Sequence, residues 1–99
     1  MSTFTQTFTR PSTTVNWHET GLGILTRDFS NYALANFKAT GKLVSDSTQV
    51  STDGLVLVIT KVFATESDKA EFLSDTTRLA YAAARDAYNT ENGITYTIS

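Results

Sequence analysis

One run limits what this chain can fold into more than any other: residues 54–64, Gly-Leu-Val-Leu-Val-Ile-Thr-Lys-Val-Phe-Ala. Side chains of a strand alternate between two faces, so one side carries Leu55, Leu57, Ile59, Lys61 and Phe63. Val56, Val58, Thr60, Val62 and Ala64 take the other. Both sides are mostly apolar, and fully burying one such side chain is worth roughly 1.5–3 kcal/mol. A strand with that much to gain on both faces belongs in the middle of a sheet, with material packed above and below it. No catalytic motif accompanies it, in this run or elsewhere in the chain.

A length of 99 residues implies a single domain over 1–99. Its core must be small, because a chain of this size buries only about 60–70% of its unfolded surface. With no cysteine there is neither a disulfide nor a thiolate metal site. One histidine among scattered carboxylates supplies too few ligands for another kind of metal centre, and no cofactor is expected. A net charge of −2, dispersed along the chain, gives nucleic acid and anionic membranes no electrostatic grip. The apolar run from Leu55 to Ile59 is far below the roughly 20 residues of a spanning helix. Met-Ser-Thr-Phe-Thr at the start lacks the basic-then-apolar layout of a secretory signal. The expectation is a soluble chain of the cytoplasm, or of a virion assembled there, with no nucleic-acid or membrane partner.

Eighteen of the residues are threonine. A β-branched side chain with a methyl to pack and a hydroxyl to keep wet suits strands and sheet edges, which favours an α+β domain. Residues 3–9 alternate strictly, Thr3, Thr5, Thr7 and Thr9 against Phe4, Gln6 and Phe8, the pattern of a half-buried strand. Pro11 ends it for want of an amide hydrogen. Val15 and Trp17 could extend it past a bend, and Gly21-Leu-Gly23 reads as a turn. Asp28 or Ser30 can cap a first helix running to about Thr40, with Phe29, Tyr32, Ala33, Asn36 and Phe37 at helical spacing and Gly41 as its stop.

Residues 42–50 form a polar strand suited to an edge, and Asp53-Gly54 turns the chain into the central run. Thr65 with Asp68 caps a second helix over about 66–89. Its expected buried face is Phe72, Leu73, Thr76, Leu79, Ala80, Ala83, Ala84, Ala87 and Tyr88. After Asn92-Gly93, Ile94, Tyr96 and Ile98 alternate with Thr95 and Thr97 in a last strand. Right-handed crossovers turn this βαββαβ order into a four-stranded antiparallel sheet, with both helices on one face and the first and third strands central.

That arrangement leaves the second apolar side of the central strand uncovered. Either the segment around Val15, Trp17, Leu22 and Ile24 folds across it, or a second copy of the chain does. Large bare apolar patches are uncommon on monomers, and two such faces packed together make a symmetric, self-complementary homodimer.

This order of elements resembles the ferredoxin-like fold, and the open apolar face resembles its dimeric α+β barrel branch, which includes the antibiotic-biosynthesis-monooxygenase-like proteins. The resemblance covers most of the chain and rests on topology. It implies a site for a small hydrophobic ligand between sheet and helices, in some members with oxidation that needs no cofactor. Separately, Phe8-Thr-Arg-Pro-Ser12 with Trp17, and Asp53-Gly-Leu55 followed by Glu71-Phe-Leu73, resemble small proteins of marine phage.

His18, between Trp17 and Glu19, is the residue best suited to proton transfer. With Trp17, Phe29 and Tyr32 it defines a candidate ligand-binding group; the alternative is a plain loop histidine, since a base needs an orienting partner and none can be placed. Arg10, Arg27, Arg78 and Arg85 are dispersed and read as solvated or paired. Gly21-Leu-Gly23 lacks the third glycine of a dinucleotide fingerprint. Phe4, Phe8, Phe63 and Tyr96 could stack bases on a sheet, but no basic surround supports that over core packing. The functional expectation is therefore a self-associating, non-enzymatic interaction or structural protein. The alternative is a small-ligand-binding or cofactor-free monooxygenase-like dimeric barrel.

Overall fold

The computed structural model describes residues 1–17 and 32–99. Strands β1 (Ser2–Thr9), β2 (Leu43–Val50), β3 (Val56–Phe63) and β4 (Thr95–Ile98) form one antiparallel sheet in the order β2-β3-β1-β4. The apolar third strand and the alternating first strand hold the centre, as expected, and the polar second strand lies at an edge. Pairing of Phe4 with Lys61, Gln6 with Ile59 and Phe8 with Leu57 puts these side chains on one face. Thr5 opposite Thr60, Thr7 opposite Val58 and Thr9 opposite Val56 take the other.

The turn into β3 follows its sequence. Gly54 has φ +76°, which an L side chain resists, and Asp53 Oδ1 accepts the Leu55 amide at 3.0 Å. Helix α1 (Glu66–Ser74) starts where Thr65 Oγ1 accepts the Asp68 amide at 3.0 Å. The expected continuous second helix is instead broken at Asp75, whose backbone is extended (ψ 125°). Its carboxylate takes the Arg78 amide at 2.9 Å and so caps a new helix, α2 (Thr76–Asn92), which Gly93 ends in the left-handed region. The break resets the helical phase. Arg78, Arg85 and Asn89 are buried on α2, with Tyr81, Ala82 and Tyr88 half-buried beside them, while Leu79, Ala80, Ala83, Ala84 and Ala87 point outward. The alanine face expected inside is outside, because the long stems of arginine and the tyrosine rings cover more apolar sheet than methyl groups can.

Residues 34–38 of the first helical region form a π-helix, in which the Ala39 amide reaches back to the Leu34 carbonyl at 2.8 Å. The wide turn drives Phe37 inward. Its proposed caps, Asp28 and Ser30, lie outside the described residues. Two core clusters result. Phe4, Ala33, Phe37, Leu43, Phe63 and Phe72 make one, and Phe8, Trp17, Leu57, Ile59 and Ile94 the other.

Val15 and Trp17 do not extend β1. Ser12 Oγ accepts the Thr14 amide and the Ser12 carbonyl accepts the Val15 amide, closing a turn. Arg10 then fastens this arm: its Nε donates to the Gly54 carbonyl at 2.7 Å, its Nη1 to the Val15 carbonyl at 2.8 Å, and its guanidinium lies 4.6 Å from the Trp17 ring centre. Tyr88 on α2 donates to the Asn16 carbonyl at 2.6 Å. The arm therefore packs on the helix side of the sheet, and its described part does not cross the open face. Leu22 and Ile24 lie outside the described residues.

Candidate functional site

The alternation that gives β1 and β3 their aromatic face also puts two polar side chains on it, Gln6 and Lys61. Against them α2 turns Arg78 and Arg85, which at 8% and 6% exposure are as buried as the core around them. A narrow cleft open to solvent lies between, with enclosed room for roughly one water molecule. Phe8, Ile59 and Phe72 supply apolar wall; Lys61, Arg78 and Arg85 supply charge; Gln6 and Tyr81 supply neutral hydrogen-bonding groups.

The three cations are held mainly by aromatic rings. Lys61 and Arg78 both lie over Phe72, at 5.9 and 5.3 Å from its centre, and Arg78 is also 5.7 Å from the Phe4 ring. Arg85 stacks 4.4 Å from the centre of Tyr96, which itself stacks on Phe8 at 4.8 Å. Compensating charge is thin. Arg85 pairs with Asp86 at 3.1 Å and Lys61 with Asp46 at 3.8 Å, and both carboxylates are largely exposed. Among the described residues no carboxylate pairs with the Arg78 guanidinium, whose one hydrogen bond is a 3.4 Å contact to the Leu73 carbonyl. Burial pushes the Lys61 amine down, and Arg78 and Lys38 push it further against the pull of Asp46. Burial also pulls Arg78 below its usual value, with Arg85 adding to the effect.

Of the site residues expected from sequence, Trp17 and Tyr32 lie among the described residues. Trp17 is buried in the cluster with Phe8 and Leu57. Tyr32 packs against the other cluster and donates to Asp75 Oδ2 at 2.6 Å. That bond raises the Tyr32 phenol; burial pushes the Asp75 carboxyl up, but the hydrogen bonds it accepts outweigh burial and hold it low. Trp17 and Tyr32 are thus not brought together, and neither lines the cleft. His18 and Phe29 lie outside the described residues. Arg78 and Arg85, expected to be solvated or paired, are both buried; Arg85 is paired with Asp86, and Arg78 has no ion pair among the described residues. A signal was present: Arg78, Tyr81, Arg85 and Tyr88 fall on one helical face at i, i+3, i+7 and i+10. Among the described residues no group of three or more acidic, histidine or cysteine side chains could hold a metal ion, and no helix is long and apolar enough to cross a membrane.

Comparison with solved structures settles the fold. The chain is similar to Rv0793 from Mycobacterium tuberculosis at 14% identity and TM-score 0.55, over 98% of this chain and 91% of that one. It is equally similar to a dimeric ferredoxin-like protein from an uncultured marine organism, at 12% identity and TM-score 0.55, over 98% and 89%. The fold is ferredoxin-like α+β, as the topology of the sequence implied. No protein-family model matches the chain, and no curated protein does. The resemblance to marine phage proteins is not shown.

Proposed function

We propose that this chain is a self-associating protein, a homodimer formed by packing two copies through the open face of the sheet. The observation that carries the proposal is the chemistry of that face. Its side chains are Thr3, Thr5, Thr7 and Thr9 from β1, Val56, Val58, Thr60 and Val62 from β3, Ser45, Ser47 and Gln49 from β2, and Thr95 and Thr97 from β4. Not one is charged; the two charged residues in these strands, Asp46 and Lys61, both face the helices. Across a two-fold axis a face meets itself, so every charge would meet its own copy or a neighbour of it. A neutral threonine-valine surface has no such penalty and offers half-buried valines to cover. The described arm, fastened on the far side by Arg10 and Tyr88, does not cover this surface, and a structural neighbour is described as dimeric.

Sedimentation equilibrium over a range of concentrations tests this. The expected result is a reversible species at twice the 10.8 kDa chain mass; a single species at 10.8 kDa throughout would remove the dimer.

A further inference from the structure

We propose that α2 is a lid: it undocks from the sheet as one unit, hinged at Asp75 and Gly93, while α1 and the sheet stay folded. The first observation is what holds it down. The buried side chains of α2 are Arg78, Arg85 and Asn89, and its one leucine, Leu79, faces outward. Undocking a helix held by leucines or phenylalanines forfeits their burial, whereas lifting α2 returns two guanidiniums to water. Arg78 has no ion pair among the described residues, and Arg85 has only the largely exposed Asp86. Keeping such groups out of water is costly. It is offset mainly by ring stacking, of Arg78 on Phe4 and Phe72 and of Arg85 on Phe8 and Tyr96. The second observation is Asn89, whose Nδ2 is buried without a hydrogen-bond partner. An unsatisfied donor penalises the docked state and finds water once the helix lifts.

The third observation is that both ends of α2 are articulated. Asp75 separates it from α1 with an extended backbone, ψ 125°, and caps it with its own carboxylate, so α2 keeps that cap as it swings. Gly93 ends it at φ +70°, and a residue without Cβ changes backbone conformation at little steric cost. By contrast α1 is anchored by Phe72, at 1% exposure, which packs on Phe37 and Phe63. Tyr88, donating to the Asn16 carbonyl, latches the far end of the lid. Lifting α2 bares the sheet between Phe8 and Phe72. Because α2 lies across the sheet from the proposed pairing face, the lid works in a monomer and in a dimer alike.

The test is native-state hydrogen exchange of the full chain at low urea concentrations, followed amide by amide. Relative to their intrinsic rates, the amides of residues 81–89 are expected to exchange at least ~100-fold faster than the best-protected amides of β1 and β3. They should also share one urea dependence, shallower than that of global unfolding. Phe63→Leu weakens a contact that survives lid opening. It is expected to speed exchange in β1 and β3 roughly ten-fold and to leave residues 81–89 unchanged. Arg85→Met keeps a packed stem and removes a buried charge, and is expected to slow exchange over 81–89 several-fold. In the parent, exchange of 81–89 at the rate of the sheet, or with urea dependences that differ from one amide to the next, overturns the lid. So does a Phe63→Leu variant that speeds α2 and the sheet equally. Faster exchange of α2 in Arg85→Met overturns the role given to buried charge.

Discussion

The two faces of this sheet are built from the same four strands and invert the usual placement of charge. Toward the helices lie the aromatic core and, among it, Lys61, Arg78 and Arg85. Toward the open side lie threonines and valines without a single charge. An ordinary small domain would bury the neutral side and wet the charged one. Neutrality on the open side is compatible with the self-pairing proposed for it, and the cations on the helix side lean on aromatic rings.

The sharpest contrast between the faces is energetic. Phe63 and Phe72 are at 0% and 1% exposure, and Phe72 packs on Phe37 at 5.0 Å and on Phe63 at 5.2 Å. Phe72→Ala is expected to cost about 3–5 kcal/mol in a urea titration, through lost transfer energy and the cavity left behind. It should also loosen Lys61 and Arg78, which lean on that ring. A cost near that of a surface substitution would show that folding energy does not reside on the helix side.

A smaller change of opposite sign is expected at the cations. Lys61→Met fills the same space without the buried charge and is expected to raise stability by about 1 kcal/mol at neutral pH. Because the folded amine sits below its unfolded value of roughly 10.4, the parent protein should gain stability as pH rises through the folded pKa toward that value. The variant should lack that gain. Destabilisation by Lys61→Met would make the lysine a structural partner of Asp46 and weaken the case for a strained cleft.

Smaller still is the tether between the first helical region and the α1–α2 break. Tyr32→Phe removes the donor to Asp75 and is expected to lower Tm modestly. It should also change the acid limb. The folded Asp75 carboxyl is held below its unfolded value, so its contribution is complete above about pH 3.9 and is lost as pH falls through the lower folded pKa. Without Tyr32 that loss should begin at higher pH. At the bottom of the scale, Glu71→Gln breaks an exposed pair with Lys42 and is expected to leave Tm unchanged within error, as most surface pairs do.

Strand periodicity made the sheet readable from sequence, because period-two alternation in β1 and β3 is fixed by backbone geometry and survives any detail of packing. The caps at Thr65 and the turn at Asp53-Gly54 were readable for the same local reason. The cleft was not. Hydropathy treats Arg78 and Arg85 as surface residues, although their stems pack like aliphatic chains, and it treats Ala80, Ala83 and Ala84 as core. The break at Asp75, which decides between these two faces, carries no proline or glycine to announce it. For Trp17 the sequence offers an extension of β1, a crossing of the open face or the lining of a ligand pocket; the side of the sheet it covers depends on the tertiary bonds of Arg10 to Gly54 and of Tyr88 to Asn16.

Val58 and Lys61 are three residues apart on β3 and point to opposite faces, so a pair of single substitutions separates the two surfaces. Light scattering on Val58→Lys and on Lys61→Met, beside the parent, tests the division directly. The account predicts that the parent and Lys61→Met give twice the 10.8 kDa chain mass while Val58→Lys gives the chain mass alone. Equal masses for the two variants would contradict it.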